Sequence, residues 1–127
     1  MSKKRVELES FVKNTLNNED DYFTKRIIIE YGQRFVEMVQ TLKISERTIA
    51  SDLKILAKEI FLHSYGFYHV LTFLVFCIAL DKHCMMHQHS WYNQKKLVDI
   101  IVNILYDVDF IPPSPPGLFS FKICTII

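Results

Sequence analysis

The sequence predicts an all-α fold, a bundle of helices around one central apolar helix, and three observations support this prediction. First, the sixteen residues 65–80 are apolar on every side of a helix, interrupted only by Gly66, His69 and Thr72. Such a helix must be buried on all sides or lie in a membrane. Second, at about 1.5 Å per residue this run reaches roughly 24 Å, short of the about 30 Å hydrocarbon core of a bilayer. Third, amphipathic segments with helical spacing flank the run, and no segment has a strand pattern.

Composition limits the classes of function. The 127 residues suffice for one domain, and 50% hydrophobic against 23% charged residues excludes disorder. Fifteen basic and fourteen acidic residues give a net charge of +1, so we expect protein partners and no nucleic acid. Three cysteines suit a reducing compartment better than a disulfide framework. Residues 1–5 do not lead into an apolar stretch, so we expect no signal peptide.

Amphipathic helices are predicted on the N-terminal side of the apolar run. The first covers residues 3–16 and is followed by the polar break 17–21. The second covers 22–42, and its apolar stripe contains Ile28, Tyr31, Phe35, Met38, Val39 and Leu42. Ser45 and Ser51 both fit an N-cap, so we expect a short helical turn and then a helix over 52–62. The apolar face of that helix contains Leu53, Leu56, Ala57 and Ile60.

The C-terminal half is predicted to complete the bundle. A polar connection, 81–89, leads to a last helix over 91–108 that Ser90 would cap. Two long apolar helices joined by a short connection predict a central antiparallel hairpin. The Pro-rich break 112–117 forbids helix, so the helical core of the single domain 1–127 should occupy about 3–108. The apolar tail 118–127 is too short to span a membrane, and we expect it to dock on the bundle.

Sequence motifs for catalysis are missing. With three glycines in the chain, there is no phosphate-cradling loop, and no serine lies in a Gly-x-Ser-x-Gly context. We therefore expect neither an enzyme nor a cofactor. The segment His83–His89 is rich in metal-ligand side chains, and His83 and His87 have helical spacing. We interpret it as an exposed loop without metal, with a site formed by His83, Cys84 and His87 as the alternative.

Two short motifs resemble those of the Bcl-2 family of apoptosis regulators. Segment 28–35, IIEYGQRF, has the layout of the third homology motif: an apolar residue, another three later, then glycine, and an aromatic residue at plus seven. Segment 64–67, SYGF, resembles the first motif, Asn-Trp-Gly-Arg, which precedes a buried central helix in the family. The order and spacing of the elements over about 21–108 are similar to that fold.

The sequence also departs from the family pattern. Phe67 stands in place of the arginine that pairs with the ligand's aspartate in the family, and Gln33 stands in place of the usual aspartate of the third motif. Ser64 and Tyr65 replace Asn and Trp, and neither the second motif nor a membrane anchor is recognisable. A short version of this kind resembles the viral members of the family that large DNA viruses encode.

The resemblance implies a hydrophobic groove that binds an amphipathic helix. Its ligand would be the death-motif helix of a pro-apoptotic protein, Bim before Bax and Bak, and the protein would inhibit apoptosis in the host cytoplasm or peripherally at mitochondria. Groove residues implied on the second helix are Tyr31, Phe35, Met38, Val39 and Leu42. The opposite wall would contain Leu53, Leu56 and Ile60, and the floor Tyr65, Gly66, Phe67 and Leu71. An unfilled groove could also mediate homodimer formation.

The lost arginine predicts a narrow ligand range, because a charge-assisted pair contributes about 1.5 to 3 kcal/mol. The nearest basic substitutes are Lys54, Lys58, His63 and His69. Other interpretations remain open: the groove residues could be ordinary core, and segment 28–35 could itself be a donated killer helix. The same fold in viral proteins also resembles inhibitors of innate immune signalling, which bind an adaptor protein through another face.

Overall fold

The apolar run forms a central helix, and the rest of the bundle is built around it. The computed structural model describes residues 2–62 and 66–113. Five helices and no strand occur in these ranges: α1 Lys3–Leu16, α2 Tyr22–Thr41, α3 Ile49–Ile60, α4 Phe67–Met86 and α5 Gln94–Asp107. The predicted all-α bundle with a central apolar helix is therefore confirmed. The end of the Pro-rich break and the tail 118–127 lie outside the described residues.

Helix α4 is six residues longer at its C-terminal end than predicted, so residues 81–86 are helix and not connection. The prediction was wrong because the charge of Asp81 does not end the helix; this carboxylate is buried and hydrogen bonded. Twenty residues reach about 30 Å, so length alone no longer separates α4 from a membrane-spanning helix. It is the one helix of the described ranges long and apolar enough to span a bilayer, and 61% of its apolar window is buried inside the bundle. That burial is typical of a core helix.

Helices α1 and α5 pack antiparallel to each other. The start of α1 meets the end of α5 through a Lys4–Asp109 ion pair of 2.7 Å. The end of α1 meets the start of α5, where Gln94 donates to the side chain of Asn17 at 3.1 Å. α5 packs most extensively on α1 and next on α3. The predicted hairpin would have placed its most extensive contact on α4.

The starts of α5 and α3 differ from the predicted ones. Helix α5 begins at Gln94 instead of residue 91, because Asn93 and not Ser90 caps it by accepting from the Lys96 N–H at 2.9 Å. Helix α3 begins at Ile49, three residues early, because the predicted turn runs into it without a break, with the Ile49 N–H donating to the Ser45 carbonyl at 3.0 Å. α3 ends at Ile60, and α2 ends at Thr41, one residue before the predicted end.

Helices α2 and α3 both pack on α4. Along α2 the ring of Phe23 lies 6.1 Å from that of Phe67, and the ring of Phe35 lies 5.6 Å from that of Phe76, so α2 and α4 run in the same direction. From the end of α3, Phe61 contacts Phe73 at a ring distance of 5.7 Å. α2 and α3 are not extensively packed on each other. The surface between them is where the predicted groove would lie.

Candidate functional site

The α2 wall of the predicted groove is anchored on the central helix. Tyr31 and Phe35, four residues apart and thus on one face, stack with ring centroids 5.8 Å apart. Phe35 then meets Phe76 edge to face, and Val39 is fully buried one turn further on. Phe35 and Val39 are therefore core residues first, as the alternative interpretation held, and they fix the position of α2.

The outer edges of both walls are partly exposed. On α2, Met38 and Leu42 remain partly exposed although they belong to the apolar stripe. On α3, Leu53 is buried, whereas Leu56 and Ile60 are half-buried. Partly exposed apolar side chains along two helices that are not packed extensively on each other form a surface that a third helix can cover.

The predicted floor residues Phe67 and Leu71 do not lie on the side of α4 that faces α3. Phe67 and Leu71 line a cavity of about 560 Å³ whose other walls include Phe11 and the last described residues, 111–113, so they face α1 and not α3. The physical reason is the helical rotation of about 100° per residue, which puts Phe73 and Phe76 on the flanks that meet α3 and α2. Gly66 is exposed and precedes α4 in an extended conformation, and Tyr65 lies outside the described residues.

The basic side chains predicted to replace the missing arginine are dispersed. Lys54 and Lys58 line a second cavity, of about 340 Å³, between α3 and α5, together with Ala57, Phe61, Ile104, Asp107 and Val108. By helical rotation these lysines lie on a different flank of α3 from Leu56 and Ile60. His69 is half-buried, with its ring 6.1 Å from that of Tyr68. Since His63 is not among the described residues, His69 is the predicted candidate that can lie near the surface between α2 and α3.

Segment 28–35 is an ordinary part of α2. A Cβ on Gly32 would meet the Ile28 Cγ2 atom at 3.2 Å, and its other close contact among the described atoms is also in Ile28. Glycine is therefore not required here for the approach of another helix. Phe35 is buried and Ile28 is half-buried, so donation of this segment as a killer helix would require α2 to leave the bundle.

The histidines of the predicted loop gather at the end of α4. The rings of His83 and His87 lie 4.0 Å apart, and His89 stacks on Trp91 at 5.5 Å. Burial, and secondly the charges of His87 and His89, lower the pKa of His83. Burial and then nearby Asp81 raise the pKa of the Cys84 thiol to about 11, which disfavours the thiolate that metals bind. In the described ranges, no group of three or more metal-ligand side chains is arranged to hold an ion.

Sequence reasoning missed a buried polar junction. The Asp81 carboxylate, 7% exposed, accepts hydrogen bonds from the Tyr92 hydroxyl and, at 3.2 Å, from the Gln94 amide. Gln94 also donates to Asn17, so the junction joins the ends of α1 and α4 to the start of α5. Burial, and then the bond to Asp81, raise the pKa of Tyr92, which keeps the hydroxyl protonated as a donor. The available signal was the position of Asp81, which is four residues after Cys77 and three before Cys84 and so falls on an apolar face of the helix.

An outward-facing apolar stripe on α2 was also missed. Tyr22, Ile29 and Val36 are spaced by seven residues, which places them on one line of the helix. All three are exposed, Ile29 to 77%. Heptad spacing outside the main apolar stripe was the available signal.

Comparisons of the chain with family models, curated proteins and solved structures find no match. The expected resemblance to the Bcl-2 family is therefore based on the two sequence motifs and the predicted order of the elements. Any function must therefore be argued from the partly exposed apolar side chains of α2 and α3, the two helices that pack on α4.

Proposed function

We propose that this protein is a Bcl-2-like inhibitor of apoptosis that holds the death-motif helix of a pro-apoptotic partner, Bim before Bax or Bak, between α2 and α3. One observation carries the proposal: both helices pack on α4 without extensive packing on each other, and apolar side chains along both remain partly exposed. The protein would act as a stoichiometric binder in the host cytoplasm, without catalysis.

The physical basis is the burial of apolar area by an amphipathic ligand helix. Met38 and Leu42 on one side, and Leu56 and Ile60 on the other, still have surface to remove from water. Burial stabilises a complex by roughly 25 cal/mol for each Å² of apolar surface, before the cost of association is subtracted. Ligand side chains at i, i+3 or i+4, and i+7 would meet both walls at once.

Charge recognition is the weaker part of this surface. Phe67 supplies no cation, and Lys54 and Lys58 line the cavity toward α5. A ligand aspartate would then be met by His69 or by water. The resulting loss of binding free energy would differ between ligands. We therefore propose a narrow ligand range.

The proposal is tested by titrating the purified chain against labelled death-motif helices of Bim, Bid, Puma, Bad, Noxa, Bax and Bak. Submicromolar binding to one or a few is expected, and Gly66→Glu should abolish it by adding a charge at the start of α4 that a bound helix would bury. Gly66→Ala is the matched control, because the backbone at Gly66, with φ of −68°, suits any residue. A folded chain that binds none of the seven would overturn the proposal, and nanomolar binding to most of them would overturn the narrow range.

The second candidate is inhibition of innate immune signalling through an adaptor protein. The observation that favours it is the outward stripe of Tyr22, Ile29 and Val36, which a ligand between α2 and α3 would leave uncovered. In cells, Ile29→Glu should then relieve inhibition of a signalling reporter while Leu56→Glu does not. The reverse ranking in a cell-death assay would favour the first candidate.

A further inference from the structure

The cavity beside α1 lies where the described chain ends. Its volume is about 560 Å³, and its apolar walls include Phe11 of α1 and both Phe67 and Leu71 of α4. Ile111, Pro112 and Pro113, the last described residues, form another wall. The exposed carboxylate of Glu7 lies among its polar lining.

The chain is directed into this cavity by a fixed anchor. Phe110 is buried, its ring lies 5.6 Å from that of Phe11, and its N–H donates to the Leu105 carbonyl at 3.1 Å. The three residues that follow already line the cavity, so the described chain ends at its rim. Ile111 is 79% exposed in this arrangement, as expected of an apolar wall that a further segment can cover.

The chain that follows has the composition of such a cover. Seven of the ten residues 118–127 are apolar, and Lys122 is the one charged residue among them. The five Cα–Cα steps from Pro113 to Leu118 span at most about 18 Å, so residue 118 stays within reach of the cavity. The single positive charge complements Glu7.

We propose that segment 118–127 docks into the α1–α4 cavity of its own molecule, with Lys122 next to Glu7. Docking covers Phe11 and Phe67 and ties the start of α4 to α1. This inference is independent of the proposed function, because it concerns a cavity on the α1 side of α4 and needs no partner protein.

Disulfide trapping tests the contact in the full chain. Cys124 belongs to the segment, whereas Cys77 and Cys84 are buried and protected from reagents. Ser10→Cys puts a thiol at the exposed edge of the cavity. The matched control is Glu37→Cys, exposed on α2 and thirteen residues beyond Thr24, about 20 Å from the cavity end of that helix. Oxidised glutathione is the oxidant: the two protein thiols form one disulfide as one glutathione disulfide is reduced to two thiols.

Docking predicts an intramolecular disulfide between Cys124 and the thiol introduced by Ser10→Cys. It would be detected as a monomer that migrates faster on a non-reducing gel and by the mass of the linked peptides. It should form at least tenfold faster than the disulfide of the control variant. Glu7→Lys should slow trapping, and Glu7→Lys combined with Lys122→Glu should restore it. Equal rates for both cysteine variants would overturn the proposal. A covalent dimer as the main product would also overturn it, by showing that a second copy supplies the segment.

Discussion

The two ends of α4 are held by different forces. At its C-terminal end the buried Asp81 accepts hydrogen bonds from Tyr92 and Gln94, and Gln94 also donates to Asn17, so α1, α4 and α5 are joined by directional contacts. At its N-terminal end the ring of Phe67, 40% exposed, lies 6.4 Å from that of Phe11 and 6.1 Å from that of Phe23. Apolar contacts fix an end less strictly and leave surface that a ligand can use. The proposed contact with the tail uses this more open end. The surface between α2 and α3 lies further along α4, because Phe35 of α2 is level with Phe76 and Met38 and Leu42 follow it.

The largest expected effect comes from breaking the C-terminal junction. Tyr92→Phe removes the hydroxyl that donates to Asp81 and leaves the buried carboxylate short of a partner. We expect a loss of about 1 to 3 kcal/mol in the free energy of unfolding, measured by urea denaturation. Tyr106→Phe, on the exposed side of α5, is the matched control and should change little. Equal stabilities of the two variants would show that the junction does not hold this end.

A smaller loss is expected at the N-terminal end. Phe67→Ala removes a ring that is only partly buried, so the cost should be about 1 kcal/mol, well below the about 3 to 5 kcal/mol typical of a buried phenylalanine. The same urea measurement applies. A loss larger than that of Tyr92→Phe would reverse the comparison between the two ends.

Acidification should weaken the C-terminal end through His83. Its pKa is lowered by burial first and then by His87 and His89, so the folded chain binds this proton less readily than the unfolded chain. Its contribution to stability is therefore complete above the ordinary histidine pKa of about 6.5 and is lost as the pH falls through the lower, folded value. His83→Gln should reduce the difference between the urea midpoints at pH 7.5 and 5.5. An unchanged difference would assign the pH dependence to other groups. Lys4 lowers the pKa of Asp109 and Lys13 lowers that of Glu9, so these two carboxylates lose their contributions to stability only at more acidic pH.

The smallest effect concerns Gly32 in the middle of α2. Alanine is favoured over glycine inside a helix by about 0.5 to 1 kcal/mol, but its Cβ would lie 3.2 Å from Ile28 Cγ2. We expect Gly32→Ala to be near neutral by thermal unfolding. In an Ile28→Leu background, which lacks the β-branch, the same change should stabilise. A strong loss in both backgrounds would mean that another element approaches Gly32 closely.

The sequence predicted well what local patterns determine. The bounds of α1 and the start of α2 agree with the structure, because polar caps and apolar spacing mark them within a few residues. The end of α4 was missed because Asp81 is satisfied by residues 11 and 13 positions later, which no local pattern contains. The sides of α4 on which Phe67 and Leu71 lie could not be predicted either. A helix that is apolar all round has no stripe to show which neighbour each residue meets.

Whether a ligand helix binds between α2 and α3 can be decided by one measurement. It is the dissociation constant of a labelled Bim helix, measured for the wild-type chain and for the matched pair Leu56→Glu and Ile29→Glu. Leu56 lies on the side of α3 that faces the proposed ligand, whereas Ile29 lies on the side of α2 that faces away from it. We expect submicromolar wild-type binding, weakened tenfold or more by Leu56→Glu and by less than twofold by Ile29→Glu. Binding that is lost with Ile29→Glu and kept with Leu56→Glu would contradict it.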